Sequence, residues 1–149
     1  MREHLEVSLH SASWWVGDHD IYAMLVDMAA LQRDEAGIRN YAPLAEELAV
    51  RYGHVLYQAV TRRAWGIADR LAGDYAASAV HLYQALDGFT GMSARWQMGR
   101  TLFELGELAA VQGDTDQARN YYTRALAEFQ TMRAVPDAER TGEALKSLG

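Results

Sequence analysis

An all-α fold is predicted for this chain by three features of its 149 residues. Proline occurs only at Pro43 and Pro136, and strong helix formers (alanine, leucine, arginine and glutamate) fill the chain. Runs of β-branched residues are missing. Third, the chain repeats itself: Gly73-Asp74-Tyr75 and Gly113-Asp114-Thr115 each follow an apolar helical run and lie 40 residues apart. At the same offset Trp65 falls on Leu105, Gly66 on Gly106, Leu71 on Val111, Ala85 on Ala125, Leu86 on Leu126 and Phe89 on Phe129. Helix pairs at a constant period predict an α-solenoid, in which each pair buries its apolar face against the next.

The elements follow in order. Residues 1–13 read as the second helix of a repeat whose first helix is absent, because Leu5 falls under Ala45 and Leu9 under Ala49. Residues 14–53 form a first, weaker repeat with Arg33-Asp34-Glu35 at its turn, Leu25 under Trp65 and Leu31 under Leu71. Residues 54–92 form the second repeat and residues 93–135 the third, with Val16, Leu56 and Trp96 sharing a register at the helix starts. In the third, Trp96, Leu102, Leu105, Leu108 and Val111 recur at helical spacing over about Ser93 to Gln112. Gly113 ends that helix in a left-handed turn, and Asp114 caps the next, about Thr115 to Met132. That second helix carries Ala118, Tyr122, Ala125, Leu126 and Phe129 on one face. Residues 136–149 read as a capping helix opened by Pro136, with Ala138, Leu145 and Leu148 inward and Asp137, Glu139, Arg140, Glu143 and Lys146 outward. The whole is one domain of three and a half repeats plus the cap.

Composition narrows the function. Without cysteine there is no disulfide framework, no thiolate metal site and no cysteine nucleophile. A net charge of −6 opposes a polyphosphate partner, so nucleic acid is not expected. No stretch approaches the roughly 20 apolar residues that span a bilayer, and Glu3, His4 and Glu6 stand where a signal peptide needs an apolar run, so a cytoplasmic protein without membrane contact is expected. No nucleophile, base and anion site can be assembled, and the motifs of phosphate loops, serine hydrolases and zinc proteases are missing; no enzyme activity and no cofactor is expected. His4, His10, His19, His54 and His81 never fall at i, i+4 on one helix with a carboxylate set beside them, so no metal site is expected either. His54 reads as a helix-start residue beside Gly53, and His81 as a solvent-facing position.

The residues of the third repeat resemble the tetratricopeptide repeat family: Leu105-Gly106, Ala109, Gly113-Asp114, Ala118, Tyr122, Ala125 and Leu126 meet its pattern. The second repeat fits through Trp65-Gly66, Gly73-Asp74-Tyr75, Ser78, Leu82 and Ala85-Leu86, but Asp69 stands where the family has a small apolar residue and Arg62 where it has a large one. The first fits through Tyr22, Leu25, Ala29, Asp34, Ile38, Ala42 and Ala45. The 40-residue period, Ala94 to Gln97 and Arg100 to Leu108 resemble the long-helix variant at the C-terminus of bacterial nucleotide cyclases and of ATP-dependent transcription regulators similar to the maltose-regulon activator. That resemblance implies an excised sensor or interaction module of a bacterial signalling protein.

It also implies a concave groove lined by first helices, and maps ligand positions onto Asp20, Asp27, Arg63, Ile67, Arg70, Arg100, Phe103 and Glu107, with Ala23 and Val60 beside them. Arg63 and Arg70 are seven apart and share a helical face, with Arg100 beside Arg63 from the next unit. Such guanidiniums would hold acidic side chains or a terminal carboxylate of a peptide; alternatively Asp20, Asp27 and Glu107 neutralise them. Trp65 and Trp96 either pack between repeats or line a pocket, and Asp69 is either paired with an arginine or exposed. The expected function is therefore non-catalytic binding of a peptide or partner helix in the groove. The alternative is a small-ligand sensor with its ligand near Trp65, Phe103 and the arginines. The half repeat at the N-terminus is a candidate surface for self-association.

Overall fold

The computed structural model describes residues 17–149, and among them the chain is all-helical, with no strand. Seven helices follow one another: α1 (Asp18–Leu31), α2 (Glu35–Arg51), α3 (Val55–Leu71), α4 (Tyr75–Gly91), α5 (Arg95–Val111), α6 (Thr115–Thr131) and α7 (Val135–Ser147). The half repeat expected over residues 1–13, with Val16 and the Trp14-Trp15 pair, lies outside the described residues.

The punctuation is stricter than the 40-residue period. A left-handed residue ends every helix from α1 to α6 at an interval of 20: Arg33, Gly53, Gly73, Ser93, Gly113 and Arg133. At each, two backbone bonds close the turn in the same way. In the first turn the Arg33 amide donates to Ala30 O and the Asp34 amide to Ala29 O; in the fifth, Gly113 donates to Ala110 O and Asp114 to Ala109 O. This is the paired closure of a Schellman turn, which satisfies carbonyls the helix would otherwise leave bare. The residue after the turn then caps the following helix: Asp34, Asp74 and Asp114 accept from the amides of Gly37, Ala77 and Gln117. His54 does the same through Nδ1, 3.3 Å from the Tyr57 amide, as a helix-start residue should. Gly73 and Gly113 hold φ of 84° and 80° without a Cβ penalty, whereas Arg33, Ser93 and Arg133 adopt φ of 53–56° at a cost.

Adjacent helices pack in antiparallel pairs, and the first helices of successive pairs also touch, α1 on α3 and α3 on α5. No comparable contact joins α2 to α4. The first helices therefore form the inner layer of a solenoid-like repeat, as expected. One core cluster lies between α1 and α4 around Leu25, Ile38, Ile67 and Phe89; a second lies between α4 and α7 around Leu82, Leu105, Tyr122 and Phe129. Close approach within a pair rests on small residues: a Cβ on Gly106 would lie 2.6 Å from the Tyr122 ring, and one on Gly66 2.7 Å from Leu82. Ser78 Oγ donates to Gly66 O at 2.7 Å across the same kind of seam.

Some register matches prove to be solvent positions. Leu31, Leu71 and Val111 recur at 40 residues yet are exposed, each being the last residue of its helix. Trp96 is 42 % exposed and is not core; its Nε1 donates to Asp137 of α7, and Trp65 Nε1 donates to Glu46 of α2. Both tryptophans thus bridge neighbouring pairs from the surface. In α7 only Thr141 is fully covered, while Ala138, Leu145 and Leu148 are partly buried against the second core. Thr61, Thr101 and Thr141 are all buried and each donates to the carbonyl four residues back, so α7 keeps the register of a first helix.

Candidate functional site: a charge network across the inner layer

Alternation along α1, α3 and α5 sends Asp27, Arg63, Arg70, Arg100 and Glu104 to the face where these helices meet. They do not stand free. Arg100 makes a two-pronged contact with Asp27, at 2.8 and 3.1 Å, across 73 residues of sequence. Arg63 reaches the same carboxylate at 3.3 Å and also donates to Gln97 O and Thr101 Oγ1. One carboxylate therefore joins the first helices of all three repeats. A second knot lies beside it: Glu104 accepts from Arg70 at 3.1 Å and from Arg33 at 2.9 Å. Arg33, besides taking the left-handed turn after α1, donates to Ala30 O, which satisfies a carbonyl at the helix end.

Burial sets the electrostatics. Arg63 is 1 % exposed, and burial, helped by the nearby charge of Arg100, pulls its guanidinium down to about 10, still fully charged at neutral pH. Burial alone would raise Asp27, but Arg63 and Arg100 overcome it and hold the carboxyl below 3.8. The Arg63 guanidinium lies over the Phe89 ring at 4.9 Å and Arg100 over Trp96 at 5.0 Å, so aromatic faces cover what the carboxylates leave.

The expected groove residues therefore divide. Arg100 does stand beside Arg63, and Asp27 neutralises both, as the alternative reading had it. Asp20 and Glu107 do not join them. Asp20 accepts from Tyr57 OH at 2.6 Å, which with burial pushes that phenol up to about 12, and Glu107 accepts from Tyr122 OH at 2.9 Å. Arg70 pairs with Glu104, a residue the sequence reading passed over. Ile67 and Phe103 are buried in the walls, Phe103 beneath the Arg140 guanidinium at 5.3 Å. Arg140, expected to face solvent, thus also covers the inner face. Sequence reading missed Arg33, Glu104 and Arg140; the spacing of Arg33, Arg70 and Glu104 along three helices carries no signal until the helices are stacked.

Three cavities flank the network; the largest, of about 510 Å³, lies beside Arg33, Arg70 and Glu107, and the other two bear on binding. One, of about 450 Å³, is a mostly apolar trough between α1 and α3 with Met24, Met28, Leu31, Leu56, Tyr57 and Val60 along it. The other, of about 160 Å³, lies where α1, α3, α5 and α7 converge, beside Arg33, Arg63, Arg100 and Arg140. Trp65 lies elsewhere, on the opposite side of α3 from Arg63, against His81 and Glu46.

Two further readings change. Asp69 is buried, and it is paired with Arg39 at 3.5 Å and lies 2.7 Å from His81 Nδ1; His81 is therefore held in a hydrogen bond and does not simply face solvent. His19 and His54, remote in sequence, come together with Asp20 so that one ligand atom of each lies within 4.8 Å of the others. Spacing along one helix could not reveal that group, which the α1–α3 contact assembles. His54 Nδ1 is occupied by its cap bond and Asp20 Oδ1 by Tyr57, which leaves Nε2 of His54, Oδ2 of Asp20 and the His19 ring to meet an ion.

No family model matches the chain, and a search of curated proteins finds none that matches it. No helix among the described residues is long and apolar enough to cross a membrane.

Proposed function

We propose that this chain is a non-catalytic binding module of the tetratricopeptide-repeat type, and that its inner face takes an amphipathic partner helix with apolar anchors and a basic flank. The observation that carries this reading is the 450 Å³ trough, with Met24 50 % and Leu31 55 % exposed on its rim. Methionine side chains adapt to varied apolar shapes, and an apolar groove of this kind accepts anchors spaced at i, i+3 and i+4 on a helix. The charge preference comes from the start of α1, where Asp18 and Asp20 place two carboxylates on the first turn, Asp20 bonded to Tyr57 of the trough wall. The arginines expected to be the anchors serve the fold instead. Replacing Arg63 with Glu would put two like charges on one buried site beside Asp27, so loss of binding in such a variant would report unfolding.

A direct test uses a designed Leu/Lys amphipathic peptide and a Leu/Glu counterpart, titrated by fluorescence anisotropy against the full chain. The Leu/Lys peptide should bind, the Leu/Glu peptide should bind at least tenfold more weakly, and Met24→Glu should weaken the first without lowering the melting temperature. Equal binding of both peptides, or indifference to Met24→Glu, would overturn the assignment. A place within a bacterial signalling protein belongs to the same proposal and rests on the family resemblance.

A further inference from the structure

The 160 Å³ cavity has chemistry that the partner-helix reading leaves unused. Its polar lining consists of Arg33, Arg63, Arg100, Arg140 and a single carboxylate, Glu104. Following each charge to its partner adds Arg70, Asp27 and Asp137, which makes five guanidiniums against three carboxylates. An excess of two positive charges is thus gathered around this cavity in a chain whose overall charge is −6. Moreover, the arginines share their carboxylates: Arg63 and Arg100 both use Asp27, and Arg33 and Arg70 both use Glu104. Donor capacity is left over. Arg63 Nε is buried with no hydrogen-bond partner, and Arg140 spends only one terminal nitrogen, on Asp137. Buried guanidinium N–H groups without acceptors are costly, so the site is favourable for whatever brings oxygen atoms to it.

Size restricts that visitor. The volume is close to the roughly 150 Å³ of a cavity that accommodates one benzene molecule, far below the several hundred Å³ of a drug-sized site. A peptide backbone cannot thread it. Ile67 and Phe103 wall one part, and a short carbon skeleton would lie against them. We propose that this cavity binds a small free oxyanion, inorganic phosphate or a short dicarboxylate, held by the spare donors of Arg63, Arg140 and Arg33. Because the cavity touches α1, α3, α5 and α7 together, the bound anion clamps the inner layer of all the described repeats.

The test is titration calorimetry and thermal melting of the full chain with sodium phosphate and with succinate, each against sodium chloride at matched ionic strength. Phosphate strengthens folding of many proteins by exclusion from their surface, so saturable heat and the Arg140→Gln variant supply the specificity. Arg140 is exposed, and its contacts are the ion pair with Asp137 one turn away and the face of the Phe103 ring, which an uncharged glutamine can still cover, so its replacement should leave the fold intact. Saturable binding of phosphate or succinate is expected, with a melting temperature that climbs with the logarithm of concentration and an affinity at least tenfold lower in Arg140→Gln. Absence of saturable heat with both anions overturns the site, as does equal affinity in the variant. A short peptide acid that binds while both free anions fail also overturns it. Met24→Glu should leave anion binding unchanged, which separates failure of this site from failure of the partner-helix trough.

Discussion

Asp27→Asn is the sharpest perturbation of this fold, because one side chain ties together three helices that are far apart in sequence. Asparagine keeps the shape and one acceptor oxygen but removes the charge that Arg63 and Arg100 share. Breaking a buried ion pair on one side costs about 3–5 kcal/mol, most of it from the charge left without a partner. The Asp27 side chain is 24 % exposed, so water screens part of the loss, and about 3 kcal/mol is the expected cost. For a chain of this length roughly 2–4 °C accompany each kcal/mol, so the melting temperature should fall by about 10 °C. Circular dichroism melts and urea titrations of both proteins supply the measurement, and an unchanged m-value would show that the native state still buries the same surface. The pH dependence is a second arm. The folded carboxyl lies below its unfolded value, so its contribution is complete above about pH 5 and is lost as pH falls through the unfolded and then the folded value. The difference between the two proteins should be constant from neutral pH down to about pH 5 and shrink below that. A loss under about 1 kcal/mol, or a difference that persists in strong acid, would refute the idea that this carboxylate holds the inner layer together.

Four other substitutions probe the local rules. Gly106→Ala forces a Cβ to within 2.6 Å of the Tyr122 ring and should cost about 1–3 kcal/mol in urea unfolding, whereas Gly142→Ala, with nothing within 4 Å in the exposed part of α7, should gain about 0.5–1 kcal/mol. Asp114→Ala removes the cap on the Gln117 amide and should lower stability by about 1 kcal/mol, read from the shift in denaturation midpoint at constant m. Arg133→Gly relieves a left-handed arginine on the surface; after the added freedom of the unfolded chain is subtracted, a gain of about 0.5 kcal/mol is expected, visible as a small rise in melting temperature.

Legibility in the sequence followed locality. The turns were readable because Gly73-Asp74 and Gly113-Asp114 carry their chemistry within a few residues: one supplies the left-handed conformation and the other the cap. The less obvious turns at Arg33, Ser93 and Arg133 take the same geometry without glycine, since the flanking helices impose it. Trp96 packs between repeats, as one of its readings had it, yet stands half exposed, because helical spacing reports which residues share a stripe and the width of the covered stripe depends on the neighbouring helix. Asp69 was flagged as a misfit, and the pairing with Arg39 and His81 explains how a position expected to be small and apolar tolerates a carboxylate.

Taken alone, the amino-acid order determined the helical class, the 40-residue period and the capping, since each depends on interactions spanning a turn or a single helix pair. Only the tertiary structure decided which charges meet. Whether Arg63 finds Asp27 or a ligand, and whether Glu104 lies beside Arg33, depends on how tightly successive pairs rotate over one another, and that rotation is set by packing summed over the whole inner layer. A change of a few ångströms there would separate a carboxylate shared by two arginines from an open groove lined with cations.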